Sequence, residues 1–309
     1  MTGLDYRRTA LLLVTPDAIR RRLGGEIVGR VRSAGFRITG HRLWPTAPAD
    51  LDAFHRRNEP VARDPALYRL VAELFALGPL LALAVQSGPD LPPEDVHRLL
   101  ARLKGRGDPA YAAAGSIRKD LGSINTILNI VHSSDDAADS AREGALFLED
   151  GPGPLESGAA ALERALHIAQ QAQPHEPRIY EDVLGSVRSR ILTALWPQLS
   201  PARRERAGDW CARAGLRGLG RPAGGDLLAG LLPAGHGLDG FLAAPAAGEP
   251  PRPLEPAALA ELGVVLDPWE HLVLATSRYY PPLPAAPDPT APAGAASTEP
   301  ARPLEPAQI

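Results

Sequence analysis

The run Ala10-Leu11-Leu12-Leu13-Val14 is the feature that most constrains this chain. A short apolar run bounded by Thr9 and by Thr15-Pro16 reads as a buried strand. A buried strand needs neighbours, and the residues that follow supply them. Asp17 caps a helix expected to run through Arg30, with Ile19, Leu23, Ile27 and Val31 at near-helical spacing, and Gly35 closes it. From Phe36 to Leu43 a second strand is expected, because Phe36, Ile38 and Gly40 alternate with Arg37, Thr39 and His41. Strand, helix, strand, further helices and an apolar strand from Leu80 to Val85 together predict an α/β sandwich.

The pattern changes at Asp150-Gly151-Pro152-Gly153-Pro154, a breaker cluster that no regular element would cross. This places one domain at residues 1–150, a linker at 151–156 and a mainly helical extension at 157–280. In the extension, helices are expected from Ser157 to Gln173, from Ile179 to Trp196 and from Pro201 to about Gly215. The second carries the stripe Ile179, Val183, Val187, Ile191 and Leu195 at i, i+4 spacing. A Gly/Pro-rich loop covers 215–253, and Pro256 opens a short helix ending at Gly263. Asp267-Pro268-Trp269-Glu270 combines an N-cap, a first-turn proline and a capping-box glutamate, so another helix should run to about Ser277. The Pro-rich tail 281–309 lacks a core pattern and is expected to be disordered. The segment 249–257 recurs at 299–307 around Arg-Pro-Leu-Glu-Pro-Ala, either as low-complexity drift or as a pair of linear docking motifs.

Composition removes several functional classes. A formal net charge of -3 and a pI near 6.3 lack the basic excess that phosphate-backbone binding needs, which disfavours nucleic acid as a partner. The lone Cys211 excludes an internal disulfide framework and a multi-cysteine zinc site, which fits a reducing compartment. No apolar stretch approaches a membrane span, and the N-terminus lacks the order of a signal peptide. A cytoplasmic protein without a membrane partner is expected. His41, His55, His97, His167, His175, His236 and His271 form no metal-ligand spacing.

The segment Asn129-Ile130-Val131-His132-Ser133-Ser134-Asp135 resembles the active-site segment of nucleoside diphosphate kinases, in which the histidine is phosphorylated during turnover. Thr15-Pro16-Asp17-Ala18, the stretch Phe75 to Val85 through Gly78-Pro79, and Gly115-Ser116-Ile117-Arg118-Lys119-Asp120 carry the resemblance further, over roughly residues 6–150. It implies a ferredoxin-like antiparallel sheet flanked by helices. It also implies His132 as the phosphorylated group, with Glu143 and Ser134 hydrogen-bonding around it. Arg118 and Asn129 match the family's nucleotide and phosphate ligands, Thr15 stands at a phosphate-ligand position, and Arg102, Lys104 and Arg106 lie in a segment that borders the phosphates. The last three otherwise read as a solvated basic stretch. Mg2+ would arrive with the bound nucleotide, held mostly by its phosphates. Nucleoside di- or triphosphates, or another phosphorylated small molecule, are the implied ligands, and a homo-oligomer is implied as well. The extension offers a surface for a protein partner.

The same resemblance marks departures. The family's first motif is Lys-Pro-Asp, and this chain has Thr15 in place of the lysine. Glu59, Ala101 and Gly107 stand near positions that hold a tyrosine, an arginine and a threonine in the family, Leu67 stands where an aromatic ring stacks on the base, and one extra residue separates Arg118 from His132. Three functions are therefore expected as alternatives. One is a phosphotransferase working through His132, the second a weak or inactive member serving as an interaction module, and the third a biosynthetic enzyme that has reused the pocket.

Overall fold

The computed structural model describes residues 4–46, 48, 65–217, 228, 230–232, 238–242 and 256–280. Two compact units divide the chain, Met1–Pro177 and Arg178–Ile309. In the first, strands β1 (Ala10–Val14), β2 (Phe36–Trp44), β3 (Leu80–Ser87) and β4 (Val131–Ser133) form one antiparallel sheet in the order β2-β3-β1-β4. This is the ferredoxin-like α/β architecture expected from the sequence. Its helices are α1 (Pro16–Arg20), α2 (Gly24–Ser33), α3 (Pro65–Ala76), α4 (Val96–Lys104), α5 (Ile117–Asp120), α6 (Ala137–Gly144) and α7 (Ala159–Gln171).

Every residue of β1 is buried, because the strand lies between β3 and β4 and both its faces are covered. Ala10, Leu12 and Val14 join Leu81, Leu83, Val85 and Val131 in a core with Ile19, Ile27 and Val31 of α1 and α2 and Leu100 of α4. The opposite face is covered by α6 and by a wide π-helical turn, Ala145–Glu149, that continues it. There Trp44 meets the Phe147 ring edge-on at 5.9 Å and donates its indole N–H to the Phe147 carbonyl at 2.9 Å.

The single helix expected from Asp17 to Arg30 is two helices. Gly24-Gly25 is a weak helix former, and the chain turns at Arg22, where φ is +62°. The break lets Arg20 and Arg22 reach Gln173 while Arg21 donates to the Gly122 carbonyl at 2.8 Å. The Cap position also differs from expectation: Thr15 precedes α1, and the Asp17 carboxylate is turned inward.

The contacts part after Pro177, beyond the expected linker at 151–156. The stripe Leu162, Ala165, Leu166 and Ala169 of α7 is buried in the core of the first unit. Gly24 permits this approach, since a Cβ there would lie 2.6 Å from Leu166 Cδ2. The linker has a role of its own, because β2 is an edge strand with unpaired backbone groups. His41 and Glu156 exchange both backbone hydrogen bonds, at 2.8 and 2.9 Å, and close that edge locally.

The second unit is helical where it is described: α8 (Tyr180–Leu195), α9 (Pro201–Arg217), α10 (Asp239–Leu242), α11 (Pro256–Glu261) and α12 (Pro268–Tyr279). The stripe Val183, Val187, Ile191 and Leu195 of α8 is buried as its spacing demands, and α8 packs with α12, whose Trp269, Leu272 and Val273 are buried. Ile179 precedes the helix and is exposed. The capping box of α12 forms, Asp267 accepting from the Glu270 amide at 2.8 Å. Most of 215–253, the whole of 281–309 and nearly all of both repeated segments lie outside the described residues. Among the described residues no helix is long and apolar enough to cross a membrane.

Glu270 ties this unit together. It is buried and accepts from Arg178 at 2.8 Å and from Arg190 at 2.6 Å. Removing one partner of a buried ion cluster costs roughly 3–5 kcal/mol. In the full chain, Glu270→Ala should sharply lower amide hydrogen-exchange protection across α8 and α12. Unchanged protection there would show that the cluster contributes nothing.

Candidate functional site

The candidate histidine sits one residue beyond an unusual turn. The Val131 N–H donates to the Asn129 carbonyl at 2.8 Å across Ile130, whose φ is +64°. A left-handed γ-turn centred on a β-branched residue is strained, so its surroundings must hold it. Asp17 does so. Its Oδ2 accepts the Ile130 N–H at 3.0 Å, and its Oδ1 accepts the Thr15 hydroxyl at 2.5 Å. The Thr15 N–H donates to the Ile130 carbonyl at 3.3 Å. Burial pushes the Asp17 carboxyl upward, against the pull of the hydrogen bonds from Thr15 and Ile130 and the charge of Arg21.

The turn sets β4 in register with β1, so that His132 lies opposite Leu13 on the face covered by α6. That helix begins where the Asp136 side chain accepts from the Asp139 amide at 2.8 Å, and it carries Glu143 to the ring. His132 Nε2 lies 2.9 Å from Glu143 Oε2, and the Ser134 hydroxyl donates to the same oxygen at 2.6 Å. Arg142 donates to Glu143 Oε1 at 2.9 Å. Burial alone would raise the Glu143 carboxyl, but His132, Ser134 and Arg142 outweigh it and bring the group down to about 2. An ionised carboxylate only accepts hydrogen bonds, so Nε2 carries the proton. In the neutral ring the lone pair then lies on Nδ1.

The outer edge of β4 is held by two buried cations. Val131 and Ser133 flank His132 and direct their carbonyls away from β1. Arg118 donates to Val131 O at 2.7 Å and to Gly105 O at 3.1 Å. Lys104 donates to Ser133 O at 3.0 Å and lies 3.5 Å from Asp135. Burial lowers Arg118 to about 10 and Lys104 to about 8, with the charge of Arg118 adding to the effect on Lys104.

Of the residues singled out in the sequence, the structure gathers His132, Glu143 and Ser134 into one hydrogen-bonded cluster and places Arg118 along the same strand. Asn129 turns its amide to the Thr126 carbonyl at 2.6 Å. Thr15 is buried, with its hydroxyl on Asp17. Arg102 is exposed on α4 and acts on Asp95, on the far side of the helix from Lys104. Leu67 is buried, Ala101 is half-buried, and Glu59 lies outside the described residues. At Gly107 a Cβ would lie 3.9 Å from Arg118 Nη1, ordinary contact distance. The sequence left Lys104 either bordering the phosphates or in a solvated basic stretch, and the structure buries it. The signal for burial was its spacing, since Val96, Leu100 and Lys104 share one apolar stripe. Asp17 gave no such signal, because its partner is the amide of Ile130, 113 residues away. Among the described residues no group of three or more His, Cys, Asp or Glu could hold a metal ion.

A family model described as nucleoside diphosphate kinase matches residues 8–152. Nucleoside diphosphate kinase 3 of Danio rerio is 31% identical over 149 residues, covering 48% of this chain and 80% of the relative. The nucleoside diphosphate kinase of Streptomyces griseus subsp. griseus is 37% identical over 138 residues, covering 44% of this chain and 93% of the relative. Among solved structures, a transition-state mimic of nucleoside-diphosphate kinase from Borrelia burgdorferi with bound vanadate and ADP is 22% identical. It covers 46% of this chain and 87% of that one, with a TM-score of 0.41.

Proposed function

The chain belongs to the nucleoside diphosphate kinase family, and on that premise we propose that it moves the γ-phosphate of a nucleoside triphosphate through a phosphohistidine at His132. The observation that carries this reading is the cluster in which Glu143 holds Nε2 of His132 and accepts from Ser134. Phosphoryl transfer asks little covalent chemistry of a protein beyond an aimed nucleophile and donors for the phosphoryl oxygens. In the proposed step the Nδ1 lone pair attacks the γ-phosphorus, the N–P bond forms, and the P–O bond to the β-phosphate breaks. The electron pair leaves with the nucleoside diphosphate. Glu143 keeps the Nε2 proton in place and offsets charge on the phosphorylated ring. The reverse step transfers the phosphoryl group to an acceptor. Arg118 supports this reading, since its buried Nε has no hydrogen-bond partner among the described residues and suits a phosphate oxygen. Magnesium belongs to the substrate here, carried by the nucleotide phosphates.

The test is incubation of the full chain with γ-labelled Mg-ATP or Mg-GTP. Acid-labile, alkali-stable label on the peptide containing His132 is expected, and label elsewhere or none would overturn the reading.

A second reading, a pocket retained for binding or scaffolding, is favoured by one observation. Thr15 replaces the motif lysine and commits its hydroxyl to Asp17. Absence of label in the intact chain together with label in Thr15→Lys would favour it.

A further inference from the structure

We propose that Lys104 is a phosphate-binding residue of this chain, which with Arg118 receives the terminal phosphates of the nucleotide and supplies the positive charge that Thr15 does not. This rests on the nucleotide reading above.

The argument starts from the cost of the arrangement. Lys104 and Arg118 are 8% and 5% exposed, and each holds a carbonyl of β4 on either side of His132. Buried like charges repel, and a buried charge without a full counter-charge is destabilising. The groups that face Lys104 are Arg118 of α5, Asp135 after β4 and Glu143 of α6. Asp135 is a poor counter-charge, because its side chain is 60% exposed and lies 3.5 Å away. Glu143 is already engaged by His132, Ser134 and Arg142. Arg118 also feels the buried carboxyl of Asp17, which is already engaged by the Ile130 amide and the Thr15 hydroxyl, so Lys104 is the less neutralised of the two cations.

Capping the carbonyls of Val131, Gly105 and Ser133 does not account for it. A neutral donor would satisfy Ser133 O without burying a charge. Two further polar atoms at the same strand, Arg118 Nε and Ser133 Oγ, are buried with no hydrogen-bond partner among the described residues. Unmatched donors beside two cations are the features of an anion site. An ammonium also has three donors, and Lys104 directs one to Ser133 and one toward Asp135. Exposed Arg102, two residues earlier and on the opposite side of α4, has none of these neighbours.

A pH signature follows. Lys104 titrates near 8, where Glu143 is ionised and Arg118 is charged. Above that pH a phosphate must recruit a proton to Lys104 on binding, so affinity should fall by up to roughly tenfold per pH unit.

The experiment measures calorimetric binding of Mg-ADP and of inorganic tripolyphosphate to the full chain, to Lys104→Met and Lys104→Gln, and to Arg98→Met as an exposed control on α4. His132 labelling is followed in parallel. Losing a charge-assisted hydrogen bond weakens affinity by roughly ten- to a hundredfold. The expected result is such a loss in both Lys104 variants, near-intact affinity in Arg98→Met, and a decline in intact affinity above pH 8 that the variants lack. If the intact chain binds and labels and the Lys104 variants, folded by circular dichroism, bind equally, the assignment is overturned while the phosphohistidine stands. If the intact chain binds tripolyphosphate through Lys104 yet takes no label, the anion site stands and the kinase reading falls. Binding of neither probe by the intact chain overturns both. Should the variants fail to fold, the pH dependence of the intact chain decides: flat affinity from pH 7 to 9 overturns the assignment.

Discussion

A chain carrying His132→Ala is expected to take up no acid-labile label from Mg-ATP, and one carrying Glu143→Gln to take it up more slowly by roughly a hundred- to ten-thousandfold. The first follows from loss of the nucleophile. The second follows from the geometry around Glu143. Its Oε2 accepts from both His132 and Ser134 and its Oε1 accepts from Arg142. Glutamine has one oxygen for the three donors. If that oxygen faces the ring, the amide NH2 faces the Arg142 guanidinium, donor against donor; if it faces Arg142, the NH2 faces the ring. Either choice disturbs the ring tautomer, and the charge that stabilises a phosphorylated imidazole is lost. Single-turnover quench measurements would read the rate directly, and a Glu143→Gln rate within threefold of the intact chain would remove Glu143 from the mechanism. An acid limb should accompany this. Glu143 is depressed from its ordinary value of 4.5 to about 2, so its contribution to stability is complete above roughly 4.5 and is lost as pH falls toward 2.

Asp17→Ala is expected to be the most damaging single change in the first unit. The carboxylate is buried and is the acceptor for the Ile130 amide and the Thr15 hydroxyl. Removing it leaves two buried donors unmatched, at roughly 1–3 kcal/mol each. The left-handed turn at Ile130 loses its clamp as well, so about 3–5 kcal/mol of stability should go. His132 follows two residues later, and label uptake should fall with it. Asp17→Asn retains one good acceptor and should lie between. Chemical denaturation of the full chain, with labelling of the folded fraction, measures both effects. A loss under 1 kcal/mol with unaltered labelling would mean that the turn is held by something else. Asp17 has the opposite sign to Glu143 as a titrating group, since burial raises it. Its ionisation works against folding as pH rises through the raised value, so the acid limb belongs to Glu143.

The sheet and its helices were legible because their signals are local. The apolar run of β1 reflects a strand covered on both faces, while the alternation of β2 from Phe36 to Gly40 and the stripe Val183, Val187, Ile191 and Leu195 reflect burial of a periodic face, which neighbours in sequence encode. The capping box at Asp267 was legible for the same reason, because both partners lie within one turn. The spacing of His132, Ser134 and Glu143 carried a motif, and their convergence followed from a strand, a turn and a helix in direct succession.

What only the tertiary structure decided lies at longer range. Nothing near Lys104 in sequence marks Ser133 as its acceptor, and nothing near Asp17 marks the amide of Ile130. Helix α7 was read as the start of an extension because a breaker cluster precedes it, yet its apolar stripe finds its partner in the core around α2. The physical reason is common to all three. Periodicity and propensity say which face of an element seeks burial, whereas what that face packs against, and the state of a buried charge, depend on which distant groups the fold brings within a few ångströms. The sequence by itself determined the sheet, the histidine and the helix that serves it. The fold alone determined that a lysine is buried beside that histidine and that Thr15 and Asp17 hold the turn before it.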